Sequence, residues 1–252
     1  MSNFFSRNPA GAPFREFSPV HFAVIFVLAA AVFATIFFAR KIRANAKLTR
    51  RLPFILGGVA WTLEVAFHIW NFVTHNAFLE NLVPLELCSI SLLLSVVLVL
   101  TDSRRVFEFY YFVSIGALMA VLFPSYGGYG PGSFRFWHFF FVHCFTFWLN
   151  IYYLAVRGYR LRKTSFLSLL AIMVPLSFFV RFIDRRFDRN YMFLNGTSGT
   201  TSPLDFLGTS TAYFYKLALL AISIFFVLYL VGPKYKPQES DQIGECEQQQ
   251  QL

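Results

Sequence analysis

The sequence is short of charge. Asp, Glu, Lys and Arg make up 14% of its 252 residues, against about 25% in a soluble domain. A water-facing surface over most of the chain is thereby excluded. Acidic residues are scarcer still, 13 against 22 basic ones. Three cysteines are too few for a disulfide framework. No HExxH or CxxC spacing occurs, so neither a metal site nor a cofactor is expected. There is no internal repeat, which leaves a two-halves transporter without direct support. The segment Met1 to Pro19 lacks the basic start, short apolar core and cleavage site of a signal peptide. The first apolar run is therefore read as a retained span.

What is abundant is apolar bulk. Hydrophobic residues reach 56%, Phe alone contributes 34, and the mean hydropathy is +0.54. This composition predicts an all-α, polytopic membrane helical bundle. A span needs roughly 20 mostly apolar residues. Seven runs qualify or nearly do: Val20 to Ala39, Leu52 to Thr74, Leu82 to Leu100, Val106 to Phe123, Phe136 to Val156, Ser165 to Phe182 and Ala212 to Val231.

The basic residues set the expected orientation. Arg40, Lys41, Arg43, Lys47, Arg50 and Arg51 follow the first run, and Arg104 and Arg105 follow the third. Arg157, Arg160, Arg162 and Lys163 follow the fifth, and Lys234 and Lys236 the last. An N-terminus outside and a C-terminus in the cytoplasm puts all of these on the cytoplasmic side. The net charge of +9 is then a property of inner loops, and lipids rather than nucleic acid are the expected partners. The chain divides into a polar N-terminal segment (1–19), a bundle (20–231) and a polar tail (232–252). The tail reads as disordered and holds a solvated Cys246. The expected location is a multi-pass position in a membrane, the cell membrane if the source is bacterial.

The third run opens with Asn81-Leu-Val-Pro-Leu-Glu86-Leu-Cys88-Ser-Ile-Ser91. A carboxyl, a thiol and hydroxyls in an apolar run are costly in a bilayer and mark a site by default. With the predicted orientation Cys88 lies roughly 9 Å below the outer end of its span. His143 of the fifth run lies at a similar depth, roughly 12 Å. Glu64, His68 and Asn71 share one helix face at i, i+4, i+7 spacing in the outer half of the second run. Arg181, Asp184 and Asn190 cluster at the outer end of the sixth. The polar groups thus converge on one layer, with Asn150 the main exception.

Each group alone has a plainer reading. A free Cys in a helix commonly just packs, and a disulfide between Cys88 and Cys144 is a further reading. Ser91 and Ser95 can bond their own helix. Glu64 with His68 can be a clamp between helices. His21, His75 and His138 are assigned to ordinary interfacial roles. It is the shared depth that raises the set above its members. Chemically, Cys88 with His143 supplies nucleophile and base, and Glu64 or Glu86 could orient the imidazole. An arginine such as Arg181 suits a phosphate headgroup.

Several stretches resemble a known family. They are Pro84-Leu-Glu-Leu-Cys88-Ser-Ile90, Phe107-Glu108 with Tyr111-Phe112, and Phe134-Arg-Phe136 followed by Phe139-Phe140 and His143. Arg157-Gly-Tyr-Arg160, Asn190-Tyr191-Met-Phe-Leu194 and Ser202-Pro-Leu-Asp-Phe-Leu-Gly208 complete the set. Together they resemble the YwaF-like bacterial membrane proteins and their relatives, the transmembrane protein 164 family. The resemblance implies a multi-pass helical protein. It also implies acyl transfer between phospholipids, dependent on a Cys and a His that fall at Cys88 and His143. After Gly208 the chain departs from the pattern: Thr-Ser-Thr-Ala-Tyr213 replaces an expected Pro/Trp-rich segment.

The expectation is a lipid acyltransferase or acyl hydrolase with an outward-facing pocket. Cys88 and His143 act, and Glu64, His68, Glu86, Arg181, Asp184, Asn190 and Tyr191 support or bind substrate. The rivals are a carrier or channel lined by Glu64, His68 and Asn71, and a lipid-sensing scaffold using the basic loops.

Overall fold

In a bilayer no water is left to satisfy backbone N–H and C=O groups, so long apolar runs resolve into helices. The computed structural model describes residues 3–7, 13–74, 83–197, 204–208 and 212–235. Among these residues the chain is helical, with no strand and an isolated bridge between Leu161 and Lys234. We number the helices α1 (Pro19–Phe37), α2 (Ala39–Ala44), α3 (Ala46–Val73), α4 (Leu87–Thr101), α5 (Arg104–Val113) and α6 (Ile115–Leu122). They continue as α7 (Phe134–Ala155), α8 (Ser165–Phe187) and α9 (Tyr213–Val231). Local signals place their ends. The Ser18 side chain accepts from the His21 N–H ahead of Pro19, and Asn45, Ser103 and Ser133 cap α3, α5 and α7 in the same way.

By length and composition, five stretches among the described residues can cross a membrane: α1, α3, α5 with α6 (Arg104–Leu122), α8 and α9. The expected third and fifth runs are helical as well, but neither is among the five. The third shows why. Its helix starts at Leu87 rather than Leu82, because Pro84 forces its predecessor out of helical geometry and Glu86 stays extended at φ −71°, ψ 145°. The resulting 15 residues reach about 22 Å, short of the roughly 30 Å of a hydrocarbon core. α7 is long enough at 22 residues but carries Arg135, His138, His143 and Asn150.

α7 is the central element. It packs against α1, α3, α4, α5 and α6. Phe136, Phe139, Phe140, Phe145, Trp148 and Tyr152 around its circumference are all buried, as a helix apolar on every side requires. α8 packs on α5, and α9 on α8. This outer pair turns Phe178, Phe179, Leu219 and Val227 outward, the surface expected of helices that meet lipid.

One end of the bundle gathers the basic loops and is tightly tied. Glu108, buried, receives both Nε and Nη2 of Arg162 at 2.8 Å. Arg157 pairs with Asp102. Tyr152, Tyr153 and Tyr159 donate to the carbonyls of Thr49, Leu98 and Asp102. Arg43 donates to the carbonyls of Ala155 and Val156. Leu161 and the segment after α9 exchange backbone bonds of 2.9 and 2.8 Å. Phe107-Glu108, Tyr111 and Arg157 to Arg160 are thus parts of one fastening. Asn150 serves the same framework: its amide donates to Ser114 and to the Tyr111 carbonyl, bracing the break between α5 and α6.

Candidate functional site

Away from the basic end, α3, α4, α6 and α7 stand apart from the α8–α9 pair and leave a cavity of about 610 Å³. Its walls are mainly apolar, from Leu87 and Met119 to Met173 and Phe225. Polar groups enter from the α3, α4 and α7 side. Glu64, His68, Glu86, Cys88, Arg135, His138 and His143 all line it.

Cys88 owes its place to the late helix start. It is the second residue of α4, where backbone N–H groups have no partner within the helix and favour negative charge. Gly116 lets this end of α4 approach α6, since a Cβ there would lie 3.2 Å from Leu87 Cδ2. Cys88 and Cys144 are both free thiols.

The two histidines of α7 are held in opposite tautomers. His143 Nδ1 lies 2.6 Å from the Phe139 carbonyl. A carbonyl only accepts, so Nδ1 carries the hydrogen and Nε2 keeps its lone pair. Among the described residues Nε2 has no hydrogen-bond partner. His138 is the reverse. Arg135 Nη1 donates to its Nδ1 at 2.7 Å, so Nε2 carries the hydrogen and donates to Glu64 Oε2 at 2.8 Å. His68 Nε2 lies 3.4 Å from the other Glu64 oxygen. His143 is equipped as a base, whereas both His138 nitrogens are spent on a chain linking Glu64 to Arg135. The guanidinium beside these histidines makes the cluster a poor cation site. No group of three or more His, Cys, Asp or Glu suited to a metal occurs among the described residues.

A family model described as the TMEM164 family matches residues 16–229. The chain belongs to that family. No curated protein and no solved structure matches it. The TMEM164 match runs from Glu16, itself at the cavity, to Tyr229 near the end of α9, so it takes in the cavity lining and most of the fastened end.

The remaining expected site residues fall around the cavity rather than in it, except Glu86, which does both jobs. Its carboxylate accepts the Met192 N–H at 3.0 Å. Asp184 accepts the Tyr191 N–H at 2.9 Å. Asn190 takes the Asn195 N–H and donates to the Gly196 carbonyl, and Tyr191 is buried. These groups hold a turn in which Met192 and Phe193 sit at φ 54° and 56°, the left-handed region that bulky residues avoid. Met192, Phe193 and Leu194 of that turn line the cavity. Arg181 instead stacks on Phe214 at 4.0 Å and is not part of the lining. Asn71 is fully buried. Ser91 and Ser95 donate to carbonyls of their own helix, and Ser95 also accepts the Trp61 indole N–H.

Sequence reasoning missed Arg135, His138 and Glu16. Arg135 and His138 are one turn apart on α7, a spacing that signals a pair. Their partner Glu64 is 74 positions away from His138, which no local pattern discloses. Asn81, Leu82, His75, the departure at residues 209–211 and Cys246 lie outside the described residues.

Proposed function

We propose that this protein is a seven-span lipid acyltransferase of the membrane, with its N-terminus outside and its tail in the cytoplasm. α7 and the shorter α4 packed against it would complete the bundle alongside the five stretches apolar enough to cross by themselves. The observation that carries the reading is one cavity that holds both a free thiol at a helix start and an imidazole whose free nitrogen is Nε2. What the sequence resemblance implies, a dependence on a Cys and a His, supports the choice of Cys88 and His143.

The chemistry is set by these groups. His143 Nε2 takes the Cys88 proton as sulfur attacks the ester carbonyl carbon of a phospholipid. No free thiolate then persists in an apolar cavity, where an isolated charge is costly. The C–O ester bond breaks, the acyl group stays on sulfur as a thioester, and the leaving alkoxide takes the proton back from the imidazolium. A second lipid hydroxyl, deprotonated by the same nitrogen, attacks the thioester; the C–S bond breaks and the departing Cys88 sulfur takes the proton back from the imidazolium. Water in place of that hydroxyl gives hydrolysis. The apolar walls accommodate acyl chains, and the turn from Met192 to Leu194 borders them.

The test is acyl labelling of purified protein with a lipid-like thioester-forming probe, read by peptide mass spectrometry. Selective modification of Cys88, lost in His143→Gln, is the expected result. Normal acyl exchange by Cys88→Ala refutes the reading. Transport by that same variant in liposomes would favour a carrier.

A further inference from the structure

Lipid recognition needs a cation for the phosphate, and Arg181, the arginine first suited to it, lies in α8 and is not part of the cavity lining. Arg181 is stacked on Phe214. Arg135 is different. It lines the cavity with Cys88 and His143. It lies over the Phe67 ring at 4.3 Å and the Phe139 ring at 5.5 Å, which fixes the guanidinium plane. Among the described residues it donates a single hydrogen bond, to His138 Nδ1. A guanidinium has five N–H groups, so most of its donor capacity is unused. It has no direct carboxylate partner there either, because Glu64 reaches it only through His138.

The intervening imidazole explains how a cation is kept available. A carboxylate in direct bidentate contact would cover the fork that a phosphate needs. Glu64 instead balances the charge at one remove, and His138, itself stacked on Phe67 at 4.3 Å, sets the orientation.

We propose that Arg135 is the anion anchor of the cavity, binding the phosphodiester of a membrane phospholipid while Glu64 and His138 position it. The assignment deepens the acyl-transfer reading and rests on it for the identity of the ligand. An anchored phosphate keeps the headgroup at the α7 start and leaves the chains to the apolar walls. The acyl ester, a few bonds from the phosphate, is then held beside Cys88.

The experiment measures binding apart from turnover. Full-length protein in detergent is titrated by native mass spectrometry with dioctanoyl phosphatidylcholine, with dioctanoylglycerol and with inorganic phosphate. A charge-assisted pair corresponds to about tenfold or more in affinity, so wild type should prefer the phospholipid to the diacylglycerol by that factor. Arg135→Gln should abolish the preference, and Arg135→Lys should restore only part of it, since a point charge lacks the fork. Glu64→Gln, which keeps the guanidinium, should weaken the preference and guards against a misfolded Arg135 variant. Cys88→Ala should keep it in full. A preference unchanged in both Arg135 variants overturns the anchor, whether or not Cys88 acylates. Loss of the preference in Arg135→Gln with normal turnover in Cys88→Ala leaves the anchor standing and removes the acyl-transfer reading. Displacement of the phospholipid by equimolar inorganic phosphate overturns the lipid assignment in favour of a free-phosphate site.

Discussion

Single side chains do two kinds of work here, and their partners tell which. His21 is fully buried, with Nδ1 accepting the Phe17 N–H and Nε2 donating to the Val121 carbonyl. Both nitrogens are consumed and its role is to join α1 to α6. His143 commits only Nδ1, to the Phe139 carbonyl, and the proposed acyl transfer would use the other nitrogen. Glu108 is purely structural: buried, and met by a bidentate guanidinium. Replacing Arg162 by Ala would leave the buried Glu108 carboxylate without its partner; because the arginine side chain is itself half exposed, we expect a loss of about 1–2 kcal/mol, read as a lowered melting temperature in detergent. Hydrogen bonds and charge from Glu108 raise the Arg162 pKa above its ordinary value. A raised value keeps the contribution whole below the unfolded pKa and loses it only as pH rises through the folded one. From the arginine side, stability should therefore be flat between roughly pH 5 and 9. In the site, His138→Phe would keep the stack on Phe67 while cutting both hydrogen bonds. About 2–3 kcal/mol of destabilisation is expected, together with slower Cys88 acylation.

At the scale of elements, caps and close approaches set positions. Asp188 ends α8 with φ 52° and is exposed. Glycine takes that conformation without cost, so Asp188→Gly should stabilise the protein by about 1 kcal/mol. Gly116→Val would push on Leu87 and displace the start of α4. The expected signature is slower labelling of Cys88 with an almost unchanged melting temperature. Helices were legible from apolar runs because a bilayer enforces that pattern over some twenty residues. The start of α4 was harder to read: Leu82, Val83 and Leu85 are as apolar as the helix itself, and only Pro84 hints that it has not begun. Cys88 and His143 were legible as polar intruders. The chain from Glu64 through His138 to Arg135 was not, since it depends on how α3 packs against α7. Asp184 in the last turn of α8 and Asn190 just after it stand out in the sequence for their polarity, but they use it on the backbone of the turn that follows.

Across the whole molecule, orientation is the property to measure first. Single cysteines replacing Glu16 or Lys163, in a background free of the native thiols, should react with a membrane-impermeant maleimide from opposite sides. Labelling at 16 from outside, and at 163 only after permeabilisation, is the expected outcome. The inverse pattern would turn the cavity to the cytoplasm. Integrity of the basic end depends on Gly232, where a Cβ would meet Leu161 Cδ1 at 2.7 Å and the Tyr111 hydroxyl at 2.9 Å. Gly232→Ala should cost about 1–3 kcal/mol and loosen that end first, which hydrogen exchange at Leu161 and Tyr235 would reveal.

The outer pair α8–α9 is fastened unevenly. At the basic end Glu108 grips Arg162, Leu161 pairs with the chain after α9, and Tyr111 and Tyr229 bond to Leu228 and Lys163 across the joint. At the cavity end, Glu86 holds the Met192 turn amid apolar contacts. Midway, Pro175 interrupts the hydrogen-bond ladder of α8. A beam clamped at one end, notched at its middle and lightly pinned at the other has its compliance at the pinned end. In the proposed acyl transfer, that compliance is what would let the pair swing in the plane of the bilayer and take in a lipid sideways, its ester staying out of water.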